Sequence, residues 1–146
     1  MVWCIEHGLH GTTMDDTEGK RKFTGAHDQL TERIIACALR VHSALGSGFV
    51  ESVYENALAL ELRNGGFGFE KQRQVRIKYL GETVGVHRLD LMVEDTVIVE
   101  LKAKDALCDE DIATVVSYLK ATGKPVALLL NFGMSELKIK RLINTR

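Results

Sequence analysis

A continuous apolar segment, Val126–Leu130, constrains the fold more than any other feature of the sequence. An uninterrupted apolar run of this length is typical of a β-strand that is covered on both faces. A helical repeat of apolar residues at Ile112, Val115, Val116 and Leu119 precedes it. Because a helix between two strands favours a parallel crossover, the chain is expected to contain a sheet with helices packed on its faces.

Hydrophobic periodicity and turn residues predict the remaining elements. In chain order they are a helix from Asp28 or Thr31 to about Gly46, a helix at Phe49–Arg63, strands at Gln74–Leu80, Val84–Val93 and Thr96–Lys102, a helix at Asp109–Ala121, the apolar strand, and a last helix at Ser135–Ile143. The short turns between the three consecutive strands imply an antiparallel meander. The order ααβββαβα predicts an α/β protein, with an α+β type of mixed sheet.

Composition limits the kind of protein this chain encodes. Its 146 residues fit one domain, and the net charge of −1 argues against a polybasic nucleic-acid binder. The three scattered cysteines suggest reduced thiols and a cytoplasmic location. We expect no membrane association, because no apolar run approaches the ~18 residues of a spanning helix and no secretory signal pattern is visible. Residues 1–26 are predicted to be a flexible or loosely docked N-terminal arm, and 27–146 a single domain.

Charged residues interrupt two of the predicted strands. Glu100 and Lys102 end the apolar run that begins at Val97, and their side chains should point the same way, ~7 Å apart. Asp90 lies in the preceding strand, and counting back from the turn places it near Val99 or Glu100. A one-residue bulge would set Asp90 beside Glu100 on the same face. The register stays open at this point.

The chemistry of such a cluster indicates metal-assisted phosphodiester hydrolysis. Two neighbouring carboxylates repel each other unless a proton or a cation lies between them. Mg²⁺ commonly takes one or two carboxylates together with water molecules. A nearby lysine can position the attacking water or stabilise charge that develops on a phosphate. The alternative, an ion-pair cluster of Asp90, Glu100 and Lys102 at the end of the sheet, fits the same spacing.

A wider pattern of residues resembles a known family. Gly48, Glu51 and Tyr54 form a G-x-x-E-x-x-Y motif, and this sequence resembles the GxxExxY protein family, which is grouped with the PD-(D/E)XK nuclease-like superfamily. The resemblance covers roughly residues 30–143. It continues at Val41-His42, Leu45-Gly46, Ala57-Leu58, Glu61-Leu62, Tyr79, Arg88–Leu91, Val93-Glu94, Val99–Lys102, Tyr118-Leu119, Asn131–Gly133 and Lys138–Leu142.

The resemblance implies a restriction-endonuclease-like core, a Mg²⁺ or Mn²⁺ site and nucleic acid as a partner. By this resemblance, Asp90 and Glu100 would be the metal carboxylates and Lys102 the catalytic lysine. Glu51 would be an additional acidic catalytic residue and metal ligand. Tyr54 would support the site by packing beside Glu51, although an exposed Glu51 with a core Tyr54 is the plain structural alternative.

One departure from the family pattern concerns the helix after the motif strand. Asp111 and Thr114 stand where the family usually has histidine and glutamine. Thr114 is expected to support the site through a hydrogen bond to water or phosphate, with a shorter reach than glutamine. The departure also favours a second hypothesis, in which the chain is a catalytically silent module that acts in homo-oligomeric assembly or partner binding.

Two basic stretches are candidates for phosphate contacts. The first contains Lys71, Arg73, Arg76 and Lys78, and the second contains Lys138, Lys140, Arg141 and Arg146. Clustered cations of this kind can neutralise the phosphates of a nucleic acid. A solvated charged face explains each stretch equally well, and the sequence does not separate the two interpretations.

Overall fold

A computed structural model of the protein describes residues 2–7 and 27–145, which form three helices and six strands. The helices are α1 (Asp28–Leu45), α2 (Glu51–Asn64) and α3 (Asp109–Thr122). The strands are β1 (Val2–His7), β2 (Phe69–Tyr79), β3 (Glu82–Val93), β4 (Val97–Lys102), β5 (Val126–Asn131) and β6 (Lys138–Asn144). Within these described ranges, no helix is long and apolar enough to cross a membrane.

The strands form one mixed sheet in the order β1-β6-β5-β4-β3-β2. The antiparallel meander of β2, β3 and β4 is confirmed, as is the parallel pairing of β4 with β5 across the intervening helix α3. Every residue of β5 is buried, as its apolar sequence predicts. The α/β fold class with a mixed sheet is therefore confirmed.

The predicted last helix at Ser135–Ile143 is wrong, because this segment contains strand β6, which pairs antiparallel with β5. A buried central strand such as β5 must have hydrogen-bond partners along both edges. The β6 sequence meets this need, since buried Ile139 alternates with the half-exposed Lys138 and Lys140. Within the described ranges the element order is βααβββαββ in place of ααβββαβα.

The N-terminal strand β1 belongs to the segment predicted as an arm. It pairs antiparallel with β6, with Val2 opposite Asn144, and so forms one edge of the sheet. Val2 also packs against the buried cluster that contains Ile98, Val115 and Leu142. Residues 8–26 lie outside the described residues, so the division of the chain at 26/27 stays a prediction.

Helices cover both faces of the sheet and divide the core into two clusters. On one face, α1 and α2 pack against Val97, Val99 and Leu101 of β4. On the other face, α3 packs against Ile98 of the same strand. Because side chains alternate along a strand, Glu100 belongs to the face of Ile98, beside α3.

Candidate functional site

Pairing of β3 with β4 brings Asp90 next to Glu100. The last ladder pair is Leu91 with Val99, so the same register places these two acidic residues opposite each other. The Leu101 backbone N–H donates to the Asp90 carboxylate at 2.9 Å. The Asp90 backbone N–H lies 3.5 Å from a carboxylate oxygen of Glu100. The register that the sequence left open is therefore the one in which Asp90 neighbours Glu100.

Strand β3 is distorted around Asp90. Leu89 and Met92 both pack in the α3-side core, although residues three apart in a regular strand point to opposite faces. On the neighbouring strand, Gln72 adopts a left-handed backbone conformation with a φ of 56°, and the ladder passes from Lys71 to Arg73 without it. The two irregularities lie side by side, since Gln72 falls between the pairs Lys71–Leu91 and Arg73–Leu89, opposite Asp90.

Burial and neighbouring negative charges raise the pKa values of both carboxyl groups. Only 9% of Asp90 and 6% of Glu100 is exposed. Burial, followed by the charge of Asp90, raises the pKa of Glu100 to about 8. Burial also raises the pKa of Asp90, although the hydrogen bond from Leu101 acts in the opposite direction. Ionising both groups together is therefore costly unless a cation compensates them.

Helix α2 directs two further carboxyl groups towards this pair. Glu51, its first residue, is partly buried, and burial followed by the charge of Asp90 raises its pKa. Glu55, one turn later, is buried, and both its carboxylate oxygens accept hydrogen bonds from the Gln72 side-chain amide at 3.0 and 3.1 Å. Sequence analysis missed Glu55 and Gln72. The i, i+4 spacing of Glu51 and Glu55 was the signal that could have found the former.

Lys102 has an acidic partner on α3. Its ammonium nitrogen lies 3.9 Å from Asp111, and 27% of its side chain is exposed. The charge of Lys102 acts to lower the pKa values of Asp90, Glu100 and Glu51. Asp111, first noted as a departure from the family pattern, is therefore a partner of the predicted catalytic lysine.

Asp111 is itself held by several contacts. Its carboxylate accepts a hydrogen bond from the backbone N–H of Cys108 at 2.8 Å, which caps α3, and pairs with Lys104 at 2.9 Å. Burial acts to raise the pKa of Asp111, but the hydrogen bonds from Cys108 and Lys104 lower it overall. The carboxylate facing Lys102 is thus kept ionised in a defined position.

The segment after β4 is clamped by Asn131 and Gly133. The Asn131 side chain accepts a hydrogen bond from the Lys104 backbone N–H and donates one to the Lys104 carbonyl, each at 3.0 Å. A Cβ atom on Gly133 would lie 2.3 Å from the Lys104 backbone nitrogen, so only glycine fits there. This clamp fixes the backbone immediately after Lys102.

The described contacts of Tyr54 and Thr114 are structural. Tyr54 is fully buried, stacks on Phe132 with ring centroids 4.8 Å apart, and donates its hydroxyl hydrogen bond to the carbonyl of Gly46. Thr114 donates its hydroxyl to the Glu110 carbonyl of its own helix at 2.9 Å. The structure thus agrees with the interpretation of Tyr54 as a core residue, while Glu51 is partly buried and not exposed. The supporting roles predicted for Tyr54 and Thr114 remain predictions.

The donor set fits a hard divalent cation held by two carboxylates. Asp90 and Glu100 are adjacent and buried, and burial together with the charge of Asp90 raises the pKa of Glu100 to about 8. Mg²⁺ commonly combines one or two carboxylates with water. Among residues 2–7 and 27–145, no group of three or more His, Cys, Asp or Glu side chains is arranged to hold a metal ion. Inclusion of Glu51 as a third ligand therefore stays a prediction.

Comparison with known protein families gives one match across most of the chain. A family profile described as the PD-(D/E)XK nuclease superfamily matches residues 28–142, which include every residue of the acidic cluster and Lys102. Neither the comparison with curated proteins nor that with solved structures gives a significant match.

Proposed function

The chain belongs to the PD-(D/E)XK nuclease superfamily, and from this premise we propose that it is a divalent-metal-dependent nuclease that hydrolyses phosphodiester bonds of nucleic acid. The observation that carries the proposal is the buried contact between the strands of Asp90 and Glu100, with Lys102 two residues further along β4. A structural ion-pair cluster would be expected to balance its charges. Here burial and like charge raise the pKa values of both carboxyl groups instead.

In this proposal Asp90 and Glu100 would hold Mg²⁺ or Mn²⁺. A bound ion would supply positive charge that stabilises the developing negative charge on the scissile phosphate. Glu51 and Glu55 add negative potential on the α2 side, because Glu51 raises the pKa of Glu100 and Glu55 raises that of Asp90. This surplus of carboxylates favours a cation at the pair over an empty pocket.

Lys102 would contact the reacting phosphate or the attacking water. Its side chain is partly exposed, and its ammonium group lies near Asp111 of α3. The Asn131–Gly133 clamp holds the backbone of the segment that follows Lys102. An ammonium fixed beside a phosphate stabilises negative charge without reorganising during the reaction. Lys102 is therefore proposed as the catalytic lysine.

The proposal is tested by incubating the purified protein with labelled single- and double-stranded DNA and RNA in the presence of Mn²⁺. Asp90→Asn, Glu100→Gln and Lys102→Ala should each reduce cleavage by ~100-fold or more. Glu110→Gln is the matched control, because Glu110 is an exposed acidic residue on α3. Cleavage that survives Lys102→Ala unchanged would identify a contaminating nuclease and overturn the assignment.

Metal binding is measured separately by titration calorimetry. Wild type should bind Mg²⁺ or Mn²⁺ with release of protons near neutral pH, since the pKa of Glu100 is about 8. Glu100→Gln should abolish this binding, while Glu110→Gln should leave it unchanged. Wild-type protein that binds no divalent ion at millimolar concentration would contradict the proposed chemistry.

The alternative proposal is a catalytically silent module of the same fold. The intrahelical hydrogen bond of Thr114 supports it, because this hydroxyl is already used at the position where the resembled family has glutamine. Membership of the narrower GxxExxY family, a cytoplasmic location and homo-oligomeric assembly belong to the proposals as well. Light scattering of the full chain tests assembly: a discrete oligomer without metal-dependent cleavage would favour the silent module, and a cleaving monomer would exclude it.

A further inference from the structure

A groove of about 530 Å³ lies between the β2–β3 hairpin and α3, outside the acidic cluster. Its lining residues are Arg76, Ile77, Lys78, His87, Ser117, Lys120 and Ala121. Three of these are permanent cations, and none is acidic. The groove is therefore a site of concentrated positive charge on a chain whose net charge is −1.

The cations of the groove lack the ionic contacts that hold some of the other described basic residues, such as Arg40, which pairs with Glu61 at 2.9 Å. Among the residues that the structure describes, Arg76, Lys78 and Lys120 form no salt bridge. By contrast, Arg73 pairs with Asp95 at 2.8 Å and Lys124 pairs with the same carboxylate at 3.1 Å. Uncompensated cations that converge on a concave surface are favourable for an anionic ligand.

The arrangement also divides the first basic stretch of the sequence. Lys71 contacts Asn56 at 2.6 Å and Arg73 contacts Asp95, so both are engaged away from the groove. Arg76 and Lys78 lie on the edge strand of the sheet, on either side of Ile77. Long basic side chains at a sheet edge can place their charged ends over the adjacent opening while their stems pack on protein.

The inner wall of the groove is continuous with the acidic cluster. His87 contacts Tyr118 edge to face, with ring centroids 4.9 Å apart, and one of its ring nitrogens lies 3.5 Å from the Ser117 hydroxyl. Tyr118 packs in the same core cluster as Leu89 and Ile98, which lie next to Asp90 and two residues before Glu100 in their strands. The groove and the acidic pair therefore border the same core cluster, on the side of the sheet that α3 covers.

We propose that this groove binds the phosphodiester backbone of a single nucleic acid strand and leads it to the Asp90–Glu100 pair. The delivery to that pair rests on the proposed nuclease function, whereas the binding does not. A volume of about 530 Å³ is in the range of small-ligand sites and suits a segment of one strand, not a duplex. Ile77 and His87 offer apolar and aromatic contacts to unstacked bases, as in other single-strand sites.

Binding is tested by fluorescence anisotropy of a labelled oligothymidine of about 15 nucleotides, in EDTA so that no cleavage occurs. The groove variant combines Arg76→Ala, Lys78→Ala and Lys120→Ala. The charge-matched control combines Arg33→Ala, Arg40→Ala and Arg63→Ala, three exposed arginines on α1 and α2, across the sheet from α3. Circular dichroism melting verifies that both variants fold.

We expect the groove variant to bind ~10-fold or more weakly at low salt, and the control to stay within about twofold of wild type. The slope of log affinity against log salt should decrease by about 2 for the groove variant, because each single-strand phosphate contact contributes about 0.7. A groove variant that binds like wild type would overturn the proposal. So would a preference of wild type for duplex DNA or for polyglutamate over the single strand.

The cleavage assay separates this proposal from the proposed function. If wild type binds the strand through the groove but no metal supports cleavage, the nuclease proposal fails and the groove proposal stands. If wild type cleaves and the groove variant binds and cleaves equally well, the groove proposal fails and the nuclease proposal stands.

Discussion

The backbone N–H of Leu101 donates a hydrogen bond to the carboxylate of Asp90 at 2.9 Å. A side chain of β3 thus takes the place of a ladder partner for β4, at the residue between Glu100 and Lys102. The regular β3–β4 pairs end at Leu91 and Val99, so this contact continues the strand association into the site. The hydrogen bond therefore couples the position of the Asp90 carboxylate to the backbone that carries Glu100 and Lys102.

Substitution of Asp90 should separate this structural role from the chemical one. Asp90→Asn keeps an oxygen that accepts the Leu101 hydrogen bond, whereas Asp90→Ala leaves a buried N–H unsatisfied. We expect Asp90→Ala to lower the free energy of unfolding by about 1–3 kcal/mol and Asp90→Asn to change it much less. Urea denaturation in EDTA measures both. Equal destabilisation by the two variants would contradict the role given to this hydrogen bond.

The elevated pKa of Glu100 predicts a stability that depends on pH in metal-free buffer. Because its pKa is about 8 in the folded protein against an ordinary value of 4.5, the folded state retains a proton that the unfolded state has lost. The contribution of Glu100 to stability is therefore fully present below that ordinary value and is lost as the pH rises towards about 8. Glu100→Gln cannot ionise, so it should melt roughly 5 °C above wild type at pH of about 8.5.

The same comparison near pH 5 provides the control, since Glu100 is protonated in the folded wild type there. Wild type and Glu100→Gln should then melt at similar temperatures. A constant difference between the two proteins across this pH range would contradict the assignment. Addition of Mg²⁺ at the higher pH should raise the melting temperature of wild type alone.

Asp111 should act on Lys102 through charge and on α3 through its cap. Asp111→Asn keeps an acceptor for the Cys108 N–H but removes the negative charge facing Lys102, and Asp111→Ala removes both. We expect Asp111→Ala to cost about 1 kcal/mol of stability and Asp111→Asn less.

Cleavage should fall by ~10-fold in both variants. Asp109→Asn, an exposed acidic residue in the first turn of α3, is the control and should retain activity. Full activity of Asp111→Asn would show that the ion pair does not position the lysine.

Gln72 combines backbone strain with a role in the site. Its φ of 56° is unfavourable for a residue other than glycine, and its side-chain amide donates a hydrogen bond to Glu55. Gln72→Ala should lose the amide and keep the strain, whereas Gln72→Gly should lose both. We therefore expect Gln72→Gly to be more stable than Gln72→Ala by about 1 kcal/mol, measured by urea denaturation. The opposite order would show that the left-handed conformation is not strained.

Gly133 should tolerate no side chain, because a Cβ there would meet the Lys104 backbone at 2.3 Å. Gly133→Ala should lower the free energy of unfolding by about 1–3 kcal/mol and displace the segment that follows Lys102. Gly85→Ala is the matched control, since a Cβ at Gly85 has its nearest neighbour at 3.9 Å. Thermal melting compares the two variants. Similar melting temperatures would contradict the clamp.

Local sequence patterns were sufficient for most of the fold. Apolar periodicity and glycine turns predicted all three helices within a few residues, because an amphipathic helix carries its own repeat. The apolar stretch at β5 predicted a strand buried on both faces, because an uninterrupted apolar run has no polar side to expose to solvent. Strand β6 was mistaken for a helix, because its own alternation of buried and half-exposed residues is short and its pairing is set by the open edge of β5.

The sequence by itself determined the residue types of the candidate site: two strand carboxylates and a lysine at a spacing that suits metal chemistry. Only the tertiary structure decided that Asp90 neighbours Glu100, that Glu55 and Gln72 join them, and that the unpaired cations gather at the groove. Register and side-chain proximity depend on how separate segments pack. Local periodicity selects the face of an element but leaves open which residues of distant elements meet.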